Sequence, residues 1–471
     1  MAEASSVEAY LGMNPLLVDA ASRAGGYLAS LATRAVAPSA AAVERLKALE
    51  VPLPEHPQDP QEVLRQLDEI GSPATAASAG GRFFGFVIGG ALPVSVASNW
   101  LTTAWDQNAA LHGPTPGVAA FEHAALRWLL EILDLPRDAA GAFVTGATQA
   151  NLCGLAAARH AVLARAGWDV EADGLFGAPP ITVLVSAEAH PTLFKSLGVL
   201  GLGRNRVVRV GTDGQGRMRP ELLPAMSGPT ILCLQAGNID TGAFDPIGEL
   251  CEAAHAAGAW VHVDGAFGLW AAAAPSLRHL AAGLSMADSW ATDAHKWLNV
   301  PYDSGLAFVR EGDALHAAMS VTAAYLPPNP GARSPSDFTP ELSRRARGVD
   351  VWAVLNALGR SGVAGMIERC CGHARRFAAG LSAVGFDILN DVVLNQVLVS
   401  FGTAELTRRV IADLQAEGTC WCGVTEWQGR TAMRISVSSW ATTEGDVELS
   451  LAAMLAAAAR CGATRRAPVT R

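Results

Sequence analysis

The chain has 471 residues, 50% hydrophobic and 17% charged, with a formal net charge of -9. This is ample for a large buried core and for roughly two or three structural units. The acidic balance and the lack of a long Lys/Arg run (Arg344, Arg345 and Arg347 form the densest basic spot) exclude a nucleic-acid surface. The mean hydropathy is +0.23, yet no run of about 18 apolar residues escapes interruption, so no membrane span is expected. Met1 to Ser6 shows no positive region ahead of an apolar block, and a cytoplasmic location without a signal peptide is expected. The 8 cysteines, including Cys370-Cys371 and Cys420-x-Cys422, make neither a zinc knuckle nor a CxxC motif and are expected as buried free thiols.

Residues 1 to 78 read as a helical, partly amphipathic segment, interrupted by Pro52, Pro54, Pro57 and Pro60, that packs on another part of the protein or on a partner subunit. Residues 79 to 365 form the expected large domain. Val118, Phe121, Ala125, Leu129 and Leu133 recur at helical spacing, and Pro136 stops the helix. Short apolar runs follow at Thr182 to Val185, Val207 to Val210, Ile231 to Leu234, Trp260 to Val263 and Leu306 to Val309, and Ser289 to Thr292 reads as a further strand. Continuous Val/Ile/Leu runs suit strands covered on both faces, and their alternation with helices predicts an α/β fold with a mostly parallel sheet. Residues 366 to 471 predict a smaller α+β domain, with helices near 366 to 384, 404 to 416 and 445 to 459 and strands at Asn395 to Phe401 and Ala432 to Val437.

Four clusters carry chemical interest. In Asp293-Ala294-His295-Lys296-Trp297, a lysine directly after a strand projects into a cleft, where a desolvated amine can attack an aldehyde; a solvated lysine is the plain alternative. In His262-Val263-Asp264-Gly265-Ala266, Asp264 ends an apolar strand, where α/β sheets place ligand-binding residues; capping a helix, binding a metal or pairing with a cation are all open to it. Thr145-Gly146-Ala147-Thr148-Gln149-Ala150-Asn151 joins a strand to a helix. Its small residues and free amides suit a phosphate, and Thr148 can cap the helix as well. It is neither a Walker loop nor a GxGxxG fingerprint. His190 follows the 182 to 185 strand and suits a structural or a catalytic role. His190, His262 and His295 lack metal-ligand spacing, so no metal is expected.

In this order, together with Phe83-Phe84-Gly85-Phe86, Ala189-His190, Arg344-Arg345-Ala346-Arg347 and Arg434-Ile435-Ser436, the motifs resemble those of the group II pyridoxal-phosphate-dependent decarboxylases, which include aromatic-amino-acid and glutamate decarboxylases. The resemblance spans about residues 80 to 460. It implies the aspartate-aminotransferase-like fold type I, pyridoxal 5′-phosphate (PLP) as cofactor, and a homodimer with active sites at the subunit boundary. It implies further that Lys296 holds the cofactor as a Schiff base, that Asp264 pairs with its pyridine nitrogen, that Ala266 packs under its ring and that His190 stacks over it. Gly146, Ala147 and Thr148 match the phosphate turn, with His295 close by, and Asn238 can hydrogen-bond the cofactor. Arg434 matches an arginine that contacts the substrate carboxylate in some members; a fold-supporting ion pair suits it equally.

The implied reaction is decarboxylation of an L-amino acid to its amine, with Lys296, His190 and Asp264 in catalytic roles. Phe84, Trp105 and their neighbours Phe83 and Phe86 are candidates for an apolar substrate pocket or for core; Asn108 and His112 would suit a polar substrate. Three positions depart from the better-known eukaryotic pattern. Asp293 stands where an asparagine is usual and is not assigned to the phosphate, Ile239 replaces a hydroxyl residue, and Phe338 is the nearest match to a mobile proton-donating tyrosine, for which Tyr325 is a possible substitute. Aldehyde synthesis, aldol cleavage or transamination on the same cofactor, and a non-catalytic binding partner of this fold, are the alternative readings.

Overall fold

The computed structural model describes residues 2–321 and 333–463; Tyr325 lies outside the described residues. A seven-stranded sheet is built from β1 (Ala140–Val144), β2 (Thr182–Ser186), β3 (Val208–Val210), β4 (Thr230–Gln235), β5 (Trp260–Asp264), β6 (Ser289–Asp293) and β7 (Gly305–Val309). Its order is β1-β7-β6-β5-β4-β2-β3. Neighbours from β6 to β3 pair in parallel, while β7 is antiparallel to both β6 and β1. Strands β4 to β7 are buried along their whole length, and β4, β5 and β7 carry the apolar runs that such cover requires.

Helices cover both faces. The helix Ala147–Arg165 crosses β5, β6 and β7, and its buried side is made of Ala150, Cys153, Gly154, Ala157, Ala158 and Ala161. Such small residues let the helix lie close to the sheet. The opposite face carries the larger core, with Trp270, Trp290, Trp297, Phe143 and Phe308 fully buried. Strands β8 (Asp387–Ile388), β9 (Gln396–Ser400), β10 (Gly423–Trp427) and β11 (Arg430–Ser436) form a second, antiparallel sheet in the order β10-β11-β9-β8.

Two elements differ from expectation. Strand β10 shows no apolar run because it is an edge strand with Val424 and Glu426 exposed. The helix expected from 366 begins at Arg347 and runs to Ala383, through the expected division at 365; Gly359 interrupts it with a φ of 59°, which weakens its helical signature. Of the N-terminal helices, Ala2–Ser30 and Ala40–Arg45 precede the proline-rich stretch and Pro60–Gln66 follows it. Arg82 ties them to the second sheet, donating to the carbonyls of Ala32, Arg34 and Thr419. All 8 cysteines are free, and seven of them are buried. No described helix is long and apolar enough to cross a membrane.

Candidate active site

The carboxyl ends of β4, β5 and β6 and the turns after β1 and β2 open onto one cavity of about 210 Å³. Of the cofactor-contacting residues expected from the sequence, Gly146, Ala147, Thr148, His190, Asp264, Ala266, His295 and Lys296 line this cavity. Asn238 does not. Its amide oxygen accepts from the Asp240 and Thr241 backbone N–H groups, closing its own turn, and its Nδ2 donates to Gln235 Oε1 at 3.2 Å. Gln235, the last residue of β4, lines the cavity instead, with Thr192, Ile239 and Phe267.

Asp264 is nearly fully buried, and its carboxylate accepts two hydrogen bonds: Oδ2 from Asn151 Nδ2 at 3.0 Å and Oδ1 from the Ala266 backbone N–H at 3.2 Å. Asn151 Oδ1 in turn lies 2.9 Å from His262 Nε2, whose Nδ1 lies 2.8 Å from Ser289 Oγ, which accepts from Trp260 Nε1 at 2.9 Å. Burial pushes His262 down to about 3, so the ring is neutral at neutral pH.

Lys296 sits on the short helix Ala294–Trp297 that follows β6, and its Nζ pairs with Asp293 Oδ2 at 3.0 Å. The other oxygen of Asp293 accepts from the Ala147 backbone N–H at 2.5 Å. Asp293 therefore caps the helix expected to be capped by Thr148, which lies inside the first turn. The unusual carboxylate is thus neutralised by an amine and a helix N-terminus at once. His295 Nδ1 accepts from the Ser304 N–H at 3.1 Å, which leaves Nε2 to carry the proton, 3.5 Å from Asp293 Oδ1. The ring stacks on Tyr302 with centroids 4.3 Å apart.

His190 is the N-cap of the helix Pro191–Val199, with Nδ1 2.7 Å from Thr192 Oγ1 and 3.4 Å from the Thr192 amide. With Nδ1 accepting from that amide, the proton resides on Nε2. Burial lowers the proton affinity of His190; Asp264 opposes the shift, and Lys296 and Arg434 add to it. Arg434 pairs with Asp240 at 3.6 Å, which supplies the ion-pair role left open by the sequence.

The substrate candidates do not gather here. Phe84 is fully buried against Phe377, a core contact with centroids 5.1 Å apart. Trp105 stacks on Phe121 at the protein surface, while Phe83 and Phe86 pack on Trp421. Asn108 Oδ1 accepts from the Arg344 N–H. Phe338 is held between the Arg333 guanidinium, 4.0 Å from its centroid, and His316, and is absent from the cavity wall. Among the described residues no group of three His, Cys, Asp or Glu could hold a metal ion. Sequence reading assigned no role to Asn151, His262 or Gln235. The available signal was spacing: His262 and Asp264 are two apart on β5 and so share a face, and Asn151 lies one turn into the helix that covers it.

The family model for the pyridoxal-dependent decarboxylase conserved domain matches residues 43–403. The chain is 30% identical over 307 residues to the acidic amino acid decarboxylase GADL1 of Mus musculus, a match that covers 62% of this chain and 55% of the mouse protein, little more than half its length. It is 25% identical over 422 residues to the aromatic-L-amino-acid decarboxylase of Bacillus atrophaeus, covering 85% and 86%. Among solved structures, mouse CSAD superposes with a TM-score of 0.88 at 21% identity, covering 95% of this chain and 99% of that one. The 4-hydroxyphenylacetaldehyde synthase of Rhodiola rosea superposes with a TM-score of 0.84 at 22% identity, covering 97% and 99%. At these identities the structures establish the shared fold, PLP-dependent fold type I.

Proposed function

Given that the chain belongs to the pyridoxal-dependent decarboxylase family, we propose that it converts an L-amino acid into the corresponding amine and carbon dioxide, with PLP held at Lys296. The observation that carries this reading is the meeting of an amine, Lys296, and an Asn151-buttressed carboxylate, Asp264, in one cavity. The residues fit the cofactor. Lys296 is the covalent attachment point, Asp264 the anionic partner of the pyridine nitrogen, Ala266 a small neighbour of the ring, and the first-turn amides at Ala147 and Thr148 with His295 the phosphate contacts. When bound, PLP supplies an electron-accepting ring for the pair released as carbon dioxide leaves.

Each residue has a physical task in that reading. Asp264 holds a proton at the pyridine nitrogen, because its two hydrogen bonds and its burial favour a close cationic partner. His190, oriented through Nδ1 by Thr192, presents Nε2–H to the cavity as a proton donor for the substrate Cα. Asp240 restrains Arg434 beside His190, where its charge attracts the substrate carboxylate. The helix Pro93–Trp105 exposes Val94, Trp100, Leu101 and Trp105, and we assign this apolar face to a second copy of the chain in a homodimer. Eight free thiols fit the reducing cytoplasm.

Aldehyde formation is the second reading: Phe338 is the nearest match to the mobile tyrosine, and a phenylalanine has no hydroxyl with which to protonate the substrate carbon. Incubating the holoenzyme with a panel of L-amino acids and measuring amine, aldehyde, hydrogen peroxide and carbon dioxide separates the two. Lys296→Ala is expected to abolish turnover and the visible absorption of bound PLP; retention of both defeats the assignment.

A further inference from the structure

Behind Asp264 lies a chain of four buried side chains that the proposed chemistry does not use directly. Trp260, Ser289, His262 and Asn151 are all fully buried and are linked end to end by contacts of 2.8–3.0 Å that finish on Asp264 Oδ2. The two ends fix its direction. An ionised carboxylate only accepts, so the Asn151 amide nitrogen faces Asp264 and its oxygen faces His262. His262 must then donate from Nε2 and accept at Nδ1 from the Ser289 hydroxyl. The indole at the far end only donates, and Ser289 Oγ receives it. Every donor and acceptor in the series is matched when Asp264 is an anion.

The reverse direction demands a protonated Asp264. Its hydroxyl would donate to Asn151 Oδ1, the amide nitrogen would donate to His262 Nε2, and the ring proton would move to Nδ1. A proton on Nδ1 of this one buried histidine is therefore incompatible with an ionised Asp264, whereas a proton on Nε2 is the arrangement that the anion requires. The backbone also accommodates the ring at a cost. Gly154 lies within the helix Ala147–Arg165, where glycine is less favourable than alanine. A Cβ at this position would come within 2.7 Å of the His262 ring.

We propose that His262 and Asn151 are positioning residues that hold Asp264 as a hydrogen-bonded carboxylate and thereby set the affinity of the site for the pyridine nitrogen of PLP. This rests on the PLP reading above. It differs from it in placing the control of the carboxylate outside the cavity, in residues that never touch the cofactor.

The direct test is nitrogen-15 NMR of histidine-labelled wild-type protein, without and with PLP, with the His262 signals identified by their loss in His262→Gln. The expected ring is neutral and protonated at Nε2 in both states. An Nδ1-protonated or doubly protonated ring overturns the proposal. The second test is PLP affinity of Asn151→Asp, which sets one buried carboxylate against another and raises the proton affinity of the pair. PLP is expected to bind at least about tenfold more weakly, the equivalent of one unit of proton affinity. An unchanged dissociation constant overturns the proposal. If Asn151→Asp does not fold, Ser289→Ala removes a single oxygen. His262 should then populate both tautomers and PLP should bind more weakly, whereas an unaltered ring and affinity refute the chain. Wild-type protein that takes up no PLP, like Lys296→Ala, refutes the functional reading itself. Wild-type protein that binds PLP at Lys296 while His262 carries its proton on Nδ1 refutes only this inference.

Discussion

Acidification should unfold this protein partly through one ring. His262 is fully buried, and burial holds its proton affinity at about 3, against about 6.5 for an unconstrained histidine. Its folded value is depressed, so its contribution to stability is fully present above about pH 6.5 and is lost as the pH falls towards 3, because the unfolded chain takes up the proton first. Each pH unit in that window costs about 1.4 kcal/mol. Lowering the pH from 7 to 5 therefore removes about 2 kcal/mol, a large share of the stability of an ordinary domain. His190, His295, His373 and His123 are shifted in the same direction and also contribute to the wild-type slope. Comparison with His262→Gln isolates the one ring. Urea unfolding of both proteins at pH 7, 6 and 5, at one fixed protein concentration, should show a gap that closes by about 2 kcal/mol on acidification, whatever the cost of the substitution at pH 7. Parallel pH dependences in the two proteins would refute the argument, since they would mean that His262 already reaches a proton in the fold.

Further substitutions test a buried ion pair and the packing of two helices. Arg344 is fully buried and pairs with the buried Glu122 at 3.2 Å, while also donating to the Ala109 and Phe143 carbonyls. Glu122→Gln should destabilise by about 3 kcal/mol in chemical unfolding, because an uncompensated cation remains inside; adding Arg344→Met should recover part of that loss. Gly154→Ala should lower stability by about 1–2 kcal/mol in thermal unfolding, the clash with the His262 ring outweighing the gain in helix propensity. Gly365→Ala is the control: it lies in the helix Arg347–Ala383, an added Cβ meets nothing within 4 Å, and it should stabilise by up to about 1 kcal/mol.

The alternation of apolar runs and helices was legible because β4, β5 and β7 are covered on both faces and are mostly apolar, whereas β6, Ser-Trp-Ala-Thr-Asp, is just as buried without such a run. That Lys296 and Asp264 would share a cleft was legible for a related reason: each stands at or just beyond the carboxyl end of a buried strand, where an open α/β sheet forms its crevice. Phe84 and Trp105 were misleading because an aromatic side chain fills a core, a surface stack or a pocket equally well, and sequence does not say which. Asn238 failed differently. An asparagine after a strand readily folds back on its own backbone, and the turn claimed its side chain before any ligand could. Asn151 and His262 required knowledge of which helix covers which strand. That is a tertiary fact, visible only as two faint spacings in separate segments.

The helix that roofs the sheet meets β5 to β7 largely through small residues, among them Ala150, Gly154, Ala157 and Ala158. Its clearance is set by single methyl groups, so this wall of the cavity has no slack to exchange. Enlarging a residue there would lift the whole roof and carry Ala147 and Thr148 with it. Ile239 belongs to no strand or helix and is only partly buried on the cavity rim. Remodelling of what the cavity admits should start from that rim position, leaving the roof alone.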